Sequence, residues 1–336
     1  EEMRSFDKEA TENGLLFLCE IGLDPGIDHM SAMQIIHDVQ KRGGKVTEFV
    51  SVCGGLPAPE ANDNPFGYKF SWSPKGVLLA GNNSAQYIDQ GGVKKISAKD
   101  LFHSTTPMTI DGRDFEAYPN RDSTSYVDVY GLEGIDLLLR GTLRYSGWHH
   151  LILAIKGLNL TDEMKISAGN HSYAEILSIA SGCDLDSLKS SVATKLDLAE
   201  DSKVMEAMDW LGLFDTTALD FQETTVIDAL ADLMNDKMSY TAGERDMVVL
   251  RHQFTADFAD HTEKITSTLF DYGIPHGNSS MARTVSLPLA IAVRLILEGE
   301  IDLKGVQIPV DQSIYEPVLA ELKTLGIAFQ EKTERI

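Results

Sequence analysis

Glu20-Ile-Gly-Leu-Asp-Pro-Gly-Ile-Asp-His-Met30 follows directly on the apolar run Gly14-Leu-Leu-Phe-Leu-Cys19, and this junction decides the fold class. An apolar run of that length bounded by Gly and Pro predicts a buried parallel strand, and Pro25-Gly26 predicts the turn at its carboxyl end. The carboxyl ends of such strands are where open α/β sheets bind ligands. Behind the turn, Ile27, Met30, Met33, Ile35 and Ile36 fall mainly on one helical face, and Lys41-Arg42-Gly43-Gly44 supplies a cationic last turn and a glycine stop. Asp24, Asp28 and His29 therefore sit at a strand-to-helix elbow. Chemistry at the elbow fits these residues; so does a structural role in which Asp24 fixes the turn and Asp28 caps the helix.

Composition sets outer limits. With 336 residues, 43% of them hydrophobic and 24% charged, the chain can bury two cores in two or three structural units. A formal net charge of −22 opposes binding to nucleic acid or anionic membranes, so neither is expected as a partner, and local basic clusters stand out. Cys19, Cys53 and Cys183 are too scattered for a disulfide framework or a thiolate zinc site, which makes a reducing compartment the default. His149, His150, His252 and His261 lack ligand spacing, so no metal is expected. The greasiest late stretch, Val285 to Leu297, contains Pro288 and Arg294, so no membrane span is expected. The sequence opens at Glu1 without methionine, so any targeting peptide or preceding domain would lie outside it, and its absence here says nothing about localisation.

Changes of pattern divide the chain. Residues 1–44 read as helix end, strand, elbow and helix. Residues 45–147 are strand-rich: Val46 to Cys53 alternates, Gly76-Val-Leu-Leu-Ala-Gly81 reads as a short apolar strand, and Pro57, Pro59, Pro65 and Pro74 mark turns. In 148–243 strand signals vanish while Leu177, Leu188, Val192, Leu196, Met205, Met208, Leu211, Ile227, Leu230 and Met234 recur at helical spacing. Strands return in 244–278, at Met247 to His252 and Lys264 to Phe270. Residues 279–336 predict a helix from Ser280 to Glu298, another over Tyr315 to Lys323, and a last strand, Ile327 to Gln330. No Gly-x-Gly-x-x-Gly follows a strand; Gly54-Gly55-Leu-Pro-Ala-Pro59 has proline where a helix would begin.

Three further clusters could carry chemistry. In Tyr118-Pro-Asn-Arg-Asp-Ser-Thr124, Arg121 is suited to holding a planar carboxylate, or to fastening a loop through Asp122. Leu139-Arg-Gly-Thr-Leu-Arg-Tyr-Ser-Gly-Trp148 offers a hydroxyl and two guanidiniums beside a glycine, as an anion site or as a solvated cationic strand end. Between Pro57 and Trp72, aromatic side chains flank Lys69, as a pocket for a ring and a carboxylate or as a core hairpin. Cys53 closes an apolar strand, where an inert buried thiol is the ordinary outcome.

Taken together, Gly22-Leu-Asp-Pro-Gly-Ile-Asp-His29, Leu56-Pro-Ala-Pro59, Asn64-Pro-Phe-Gly-Tyr-Lys-Phe-Ser-Trp-Ser73, Gly76-Val-Leu-Leu79, Tyr118-Pro-Asn-Arg-Asp-Ser123, Arg140-Gly-Thr-Leu-Arg-Tyr145 and Trp210-Leu-Gly212 resemble the glutamate-forming saccharopine dehydrogenase (saccharopine reductase) family, including the corresponding half of aminoadipic semialdehyde synthase. The resemblance runs nearly end to end in the same order. It implies an α/β fold in which an incomplete Rossmann-type dinucleotide-binding domain is interrupted by a mixed-sheet α/β domain and an all-helical subdomain. Residues 1–44 would be its last part before the insertion, 45–147 and 244–278 the substrate and dimerisation sheet domain, 148–243 the helical subdomain, and 279–336 the returning part.

The implied reaction is NAD- or NADP-linked oxidation of saccharopine to 2-aminoadipate 6-semialdehyde and glutamate, or the reverse, in lysine metabolism. The resemblance assigns Asp24 and Cys53 to proton handling. It assigns Arg121, Thr142, Leu143 and Arg144 to the substrate together with Asp24, and Lys69 more weakly. Leu23, Asp24 and Pro25 would line the cofactor, with Met30 and Phe70 as further contacts. It also implies a small-molecule substrate, a homodimer, and a cytoplasmic site, or the mitochondrial matrix in an animal. The rival readings are a related opine or carboxynorspermidine-type dehydrogenase, which would lack the Arg121 and Arg144 pair, and a non-catalytic dimerising fragment.

Overall fold

A computed structural model describes residues 3–336. Helix α1 (Asp7–Glu12), strand β1 (Leu16–Leu18) and helix α2 (Ile27–Lys41) come first. They are followed by β2 (Lys45–Pro57), α3 (Pro74–Ala80), β3 (Ala85–Asp89), β4 (Gly92–Ile96), β5 (Thr106–Ile110), β6 (Arg113–Pro119), α4 (Tyr126–Tyr130) and β7 (Leu137–Tyr145). The helical stretch holds α5 (Trp148–Gly157), β8 (Lys165–Ile166), β9 (Gly169–His171), α6 (Tyr173–Ser181), α7 (Leu188–Leu196), α8 (Lys203–Leu211), β10 (Leu219–Phe221), β11 (Thr224–Thr225) and α9 (Val226–Lys237). Last come β12 (Asp246–Asp257), β13 (Thr262–Tyr272), α10 (Ser280–Leu297), β14 (Gly305–Gln307), α11 (Gln312–Thr324) and β15 (Gln330–Arg335).

A nine-stranded mixed sheet runs β15-β13-β12-β2-β7-β3-β4, with the β5–β6 hairpin joined to it through β7. The β2–β7 pair is parallel and sets Ser51 opposite Arg140 and Cys53 opposite Thr142. Both faces of the sheet are covered, so its central strands are apolar on both sides. On one face Phe49, Leu138, Val248 and Leu250 pack with Ile27, Met30 and Ile36 of α2 and with α10 and α11; on the other, Phe115, Leu143 and Met247 join the α5–α9 core. Phe49 stacks on Phe254 at 4.5 Å between ring centroids.

Several expectations are modified. The run before the elbow is a parallel strand, paired with β14, but Leu15 and Phe17 are exposed. Gly76 to Gly81 is helical: Ser73 accepts from the Gly76 N–H and Pro74 starts the first turn, a helix-start signal that outweighs the apolar run. The Asn62–Trp72 segment is irregular, with Phe66, Tyr68 and Phe70 turned into the core and Trp72 exposed. Short ribbons β8–β11 and β9–β10 interrupt the helical stretch. The last strand begins at Gln330 and pairs antiparallel with β13, so the returning segment rejoins the large sheet. Helix α10 continues through Pro288 and Arg294; it is long and apolar enough by composition to cross a membrane, while Pro288, Ile291, Ala292 and Leu295 are buried.

His252, in the middle of β12, is wholly buried, with Nε2 2.8 Å from Ser31 Oγ and the ring stacked on Phe329. Burial holds its pKa down at about 4. The unfolded chain then takes up a proton near the ordinary value of ~6.5 while the folded one does not, so stability is lost as pH falls from there toward the folded value. Wild type is expected to lose about 1–2 kcal/mol between pH 7 and pH 5 that His252→Gln does not lose, as read by urea unfolding at both values.

Candidate active site

The elbow is built by its glycines. Gly22 N–H donates to the Pro25 carbonyl at 3.0 Å, and the Ile27 and Asp28 N–H groups donate to the Gly22 and Leu23 carbonyls at 2.8 and 3.0 Å. The Asp24–Pro25 peptide is cis. Gly26 has φ +148°, and a Cβ there would stand 2.0 Å from the Gly22 carbonyl oxygen. Backbone this tight turns Asp24 and Asp28 toward β7.

There they meet Arg140, whose Nη2 donates to both Asp24 Oδ1 and Asp28 Oδ2. Its guanidinium lies over the Tyr126 ring, 4.1 Å from the centroid. Asp28 Oδ1 accepts from the Gly26 N–H at 2.6 Å, so this carboxylate braces the elbow rather than capping the helix. Burial alone would raise the Asp28 pKa, but Arg140, His29 and the Gly26 N–H hold it at about 2. Burial and then the Asp28 charge push Asp24 the other way, to about 6, against the pull of Arg140. A pair of carboxylates driven apart in this way separates a fixed anion from a titrating group. Behind them His29 is wholly buried between Tyr130 OH and Glu20 Oε2, each at 2.7 Å.

Alternation along β7 puts Arg140, Thr142 and Arg144 on one face. Arg144 is 5% exposed, boxed by the rings of Tyr68 at 4.9 Å and Trp148 at 5.7 Å. Its Nη1 donates to the Leu143 carbonyl at 2.8 Å, while its Nε and the Trp148 Nε1 have no partner. No carboxylate among the described residues pairs with it, although a buried cation ordinarily requires one. Cys53 lies within the fields of Asp24, Asp28, Arg140 and Arg144; burial first, then the two carboxylates, raise its thiol pKa well above the ordinary value.

The remaining predicted residues sort plainly. Arg121 is exposed with φ +49°, in a loop whose flanks bond Gln86 and the Arg140 backbone; Asp122 bonds Thr124 instead of Arg121. Lys69 is buried, with its ammonium held by Glu244 at 2.7 Å and Asp63 at 2.9 Å, so in the ligand-free fold it is paired within the protein. Met30, one turn after Ile27, faces the core with no exposed surface. Leu23 and Phe70 are buried, while Asp24 and Pro25 reach the surface. Arg140 is one of the two guanidiniums of the candidate anion cluster in Leu139–Trp148, here turned to the elbow carboxylates; Tyr126 and Tyr130 were not among the predicted site residues. Two-residue alternation from Arg144 points to Arg140; no sequence signal tied the tyrosines to the elbow.

A mixed α/β scaffold with an acidic elbow paired to Arg140 and, further along the same strand, a buried guanidinium without a carboxylate partner suits an α/β enzyme that handles an anionic small molecule. The saccharopine dehydrogenase C-terminal domain family matches residues 22–327. The chain is 41% identical over 342 residues to saccharopine dehydrogenase [NADP(+), L-glutamate-forming] of Saccharomyces cerevisiae, covering 98% of this chain and 76% of that one. It is 39% identical to the mitochondrial alpha-aminoadipic semialdehyde synthase of Bos taurus, covering 97% of this chain and 36% of that protein. The solved apo saccharopine dehydrogenase (L-Glu forming) from S. cerevisiae superimposes with a TM-score of 0.90 at 39% identity, over 98% of this chain and 77% of that one. The chain belongs to the saccharopine dehydrogenase family.

Proposed function

We propose that the protein oxidatively cleaves saccharopine to 2-aminoadipate 6-semialdehyde and glutamate with NADP, or runs the reverse reaction. The observation that carries this reading is Arg144, a buried guanidinium whose Nε, like the neighbouring Trp148 N–H, lacks an acceptor in a chain of net charge −22. Saccharopine carries three carboxylates, and a planar one supplies the acceptors that these donors lack. Arg121, exposed on its fastened loop, is assigned to a second carboxylate, with Thr142 and the Leu143 backbone beside Arg144. The family relatives favour saccharopine over a carboxynorspermidine-type substrate.

NADP, when bound, accepts the hydride. Residues 1–44 and most of 279–336, which contain the parallel β1–β14 pair, are assigned to the cofactor domain, with Asp24 and Pro25 as the elbow residues facing the nicotinamide. The donor amine must be neutral before hydride leaves, and Asp24, with a pKa of about 6, is ionised at neutral pH and takes that proton at Oδ. The resulting imine is opened by water, and Asp24 returns the proton to the leaving nitrogen. Cys53 stays a thiol and is assigned as a hydrogen-bond donor in this network, not as the base. Lys69 is a strut that ties the Tyr68 segment to Glu244.

Full-length protein is expected to show a saccharopine-dependent rise in nicotinamide absorbance with NADP, and the reverse with glutamate plus the semialdehyde. No turnover with saccharopine in either direction, using either NAD or NADP, rejects this function.

A further inference from the structure

Arg140 is not among the substrate-holding positions implied by the family resemblance, and its surroundings give it another task. Its main chain is bracketed on both sides: the N–H donates to Ser123 Oγ at 3.0 Å, and the carbonyl accepts from the Asn120 N–H at 2.9 Å. Its side chain is only 11% exposed and rests on the Tyr126 ring. That ring is itself packed against His29 and Tyr130, at 5.4 and 5.5 Å. A guanidinium fixed at both ends cannot swing out to follow a ligand without breaking this platform.

We infer that Arg140 is a positioning residue that fixes the Asp24 carboxylate at the elbow, with Asp28 as its permanent counter-charge. The inference rests on the proposed function for its consequence in turnover. The geometry divides the labour between the two carboxylates. Asp28 has two independent anchors, the Gly26 N–H and Arg140, and its side chain is 2% exposed. Among the described residues Asp24 has a single charged donor, the shared Nη2, beside the Asp28 carboxylate it abuts, and is 21% exposed, so an arriving proton goes to Asp24. Arg140 favours the Asp24 anion and Asp28 disfavours it, which makes the two neighbours act with opposite sign.

The other groups facing Asp24 are His29 from α2, Cys53 from β2, and Tyr126 and Tyr130 from α4. Burial raises the thiol and both phenols, so all three are uncharged near neutrality and leave the comparison to Arg140, Asp28 and His29.

The test is a carbon-13 carboxyl titration of Asp24 in the ligand-free full-length protein, alongside the pH dependence of kcat/KM for saccharopine. Arg140→Met is expected to move the Asp24 titration and the acidic limb of kcat/KM up by about one pH unit or more. Asp28→Asn keeps an acceptor for the Gly26 N–H and is expected to move both down by about one unit. Arg140→Lys, with charge but no planar fork, should lower kcat while moving the titration less than Arg140→Met. Shifts of the same sign in Arg140→Met and Asp28→Asn, or slower turnover with the titration unmoved, overturn the inference. If Arg140→Met does not fold, the direction of the Asp28→Asn shift and the kcat of Arg140→Lys decide. Wild type that titrates as described but never turns over saccharopine rejects the proposed function, while the Asp24 titrations still decide the role of Arg140.

Discussion

Arg144→Ala is expected to lower kcat/KM for saccharopine by roughly 30- to 1000-fold, about 2–4 kcal/mol, while NADP binding survives. The reason is the state of the side chain in the ligand-free fold. It is buried between Tyr68 and Trp148, spends one nitrogen on a neutral carbonyl, and carries an orphaned Nε. The surrounding fold has already carried the desolvation of this cation, so a carboxylate that reaches it gains a charge-assisted pair in a water-poor site. Arg144→Lys should rescue little, because an ammonium has neither the planar fork nor the face that lies against the two rings. Steady-state kinetics with saccharopine, set beside fluorescence titration with NADPH, read the two bindings separately. An unchanged saccharopine KM and kcat, or equal loss of both ligands, removes the anion site from Arg144.

Gly26→Ala should do more damage. At φ +148° an added methyl falls 2.0 Å from the Gly22 carbonyl oxygen, and that carbonyl is held by the Ile27 N–H at 2.8 Å. Neither neighbour can move without undoing the turn that aims Asp24 and Asp28. A loss of about 3–5 kcal/mol in stability is expected, with a thermal midpoint lower by roughly 4–7 °C and no measurable turnover. Gly43→Ala is the control: its φ is +81°, but no atom lies within 4 Å of the added methyl, so a cost near ~1 kcal/mol is expected. Similar losses at both positions would show that backbone strain alone, and not the closeness of Gly22, governs the elbow.

The elbow was legible because its signals are local. Pro25-Gly26 and the helical spacing from Ile27 lie within one short stretch, and α2 runs Ile27–Lys41 as that spacing predicts. Strands β2, β12 and β13 were legible for the same reason, through alternation and apolar runs. What the sequence did not show is who meets whom. Asp24 finds Arg140 because β2 and β7 pair in parallel, and that register is a long-range choice with no residue signature of its own. The family resemblance joins Arg121 and Arg144 at the substrate, and nothing local in either stretch tells how differently the fold treats them. In the fold one is exposed on a loop, the other is sealed among aromatic rings, and the cation at Asp24 is a third. Lys69 shows the same limit, since its partners Asp63 and Glu244 lie 6 and 175 positions away. Gly76 to Gly81 shows the local limit: a short apolar run suits a strand or a buried helix equally, and Ser73-Pro74 broke the tie.

The chain passes three times between the α2–α10–α11 side and the large sheet. It crosses from α2 to β2 at Gly43-Gly44, from β13 to α10 at Gly273–Ser279, and from α11 back to the sheet just before β15. With three tethers there is no single swivel. Lifting α11 would pull on β15 and threaten the ladder from Glu263↔Arg335 to Thr268↔Gln330 as one unit. Any opening at this boundary would have to bend all three connections together instead of turning about one of them.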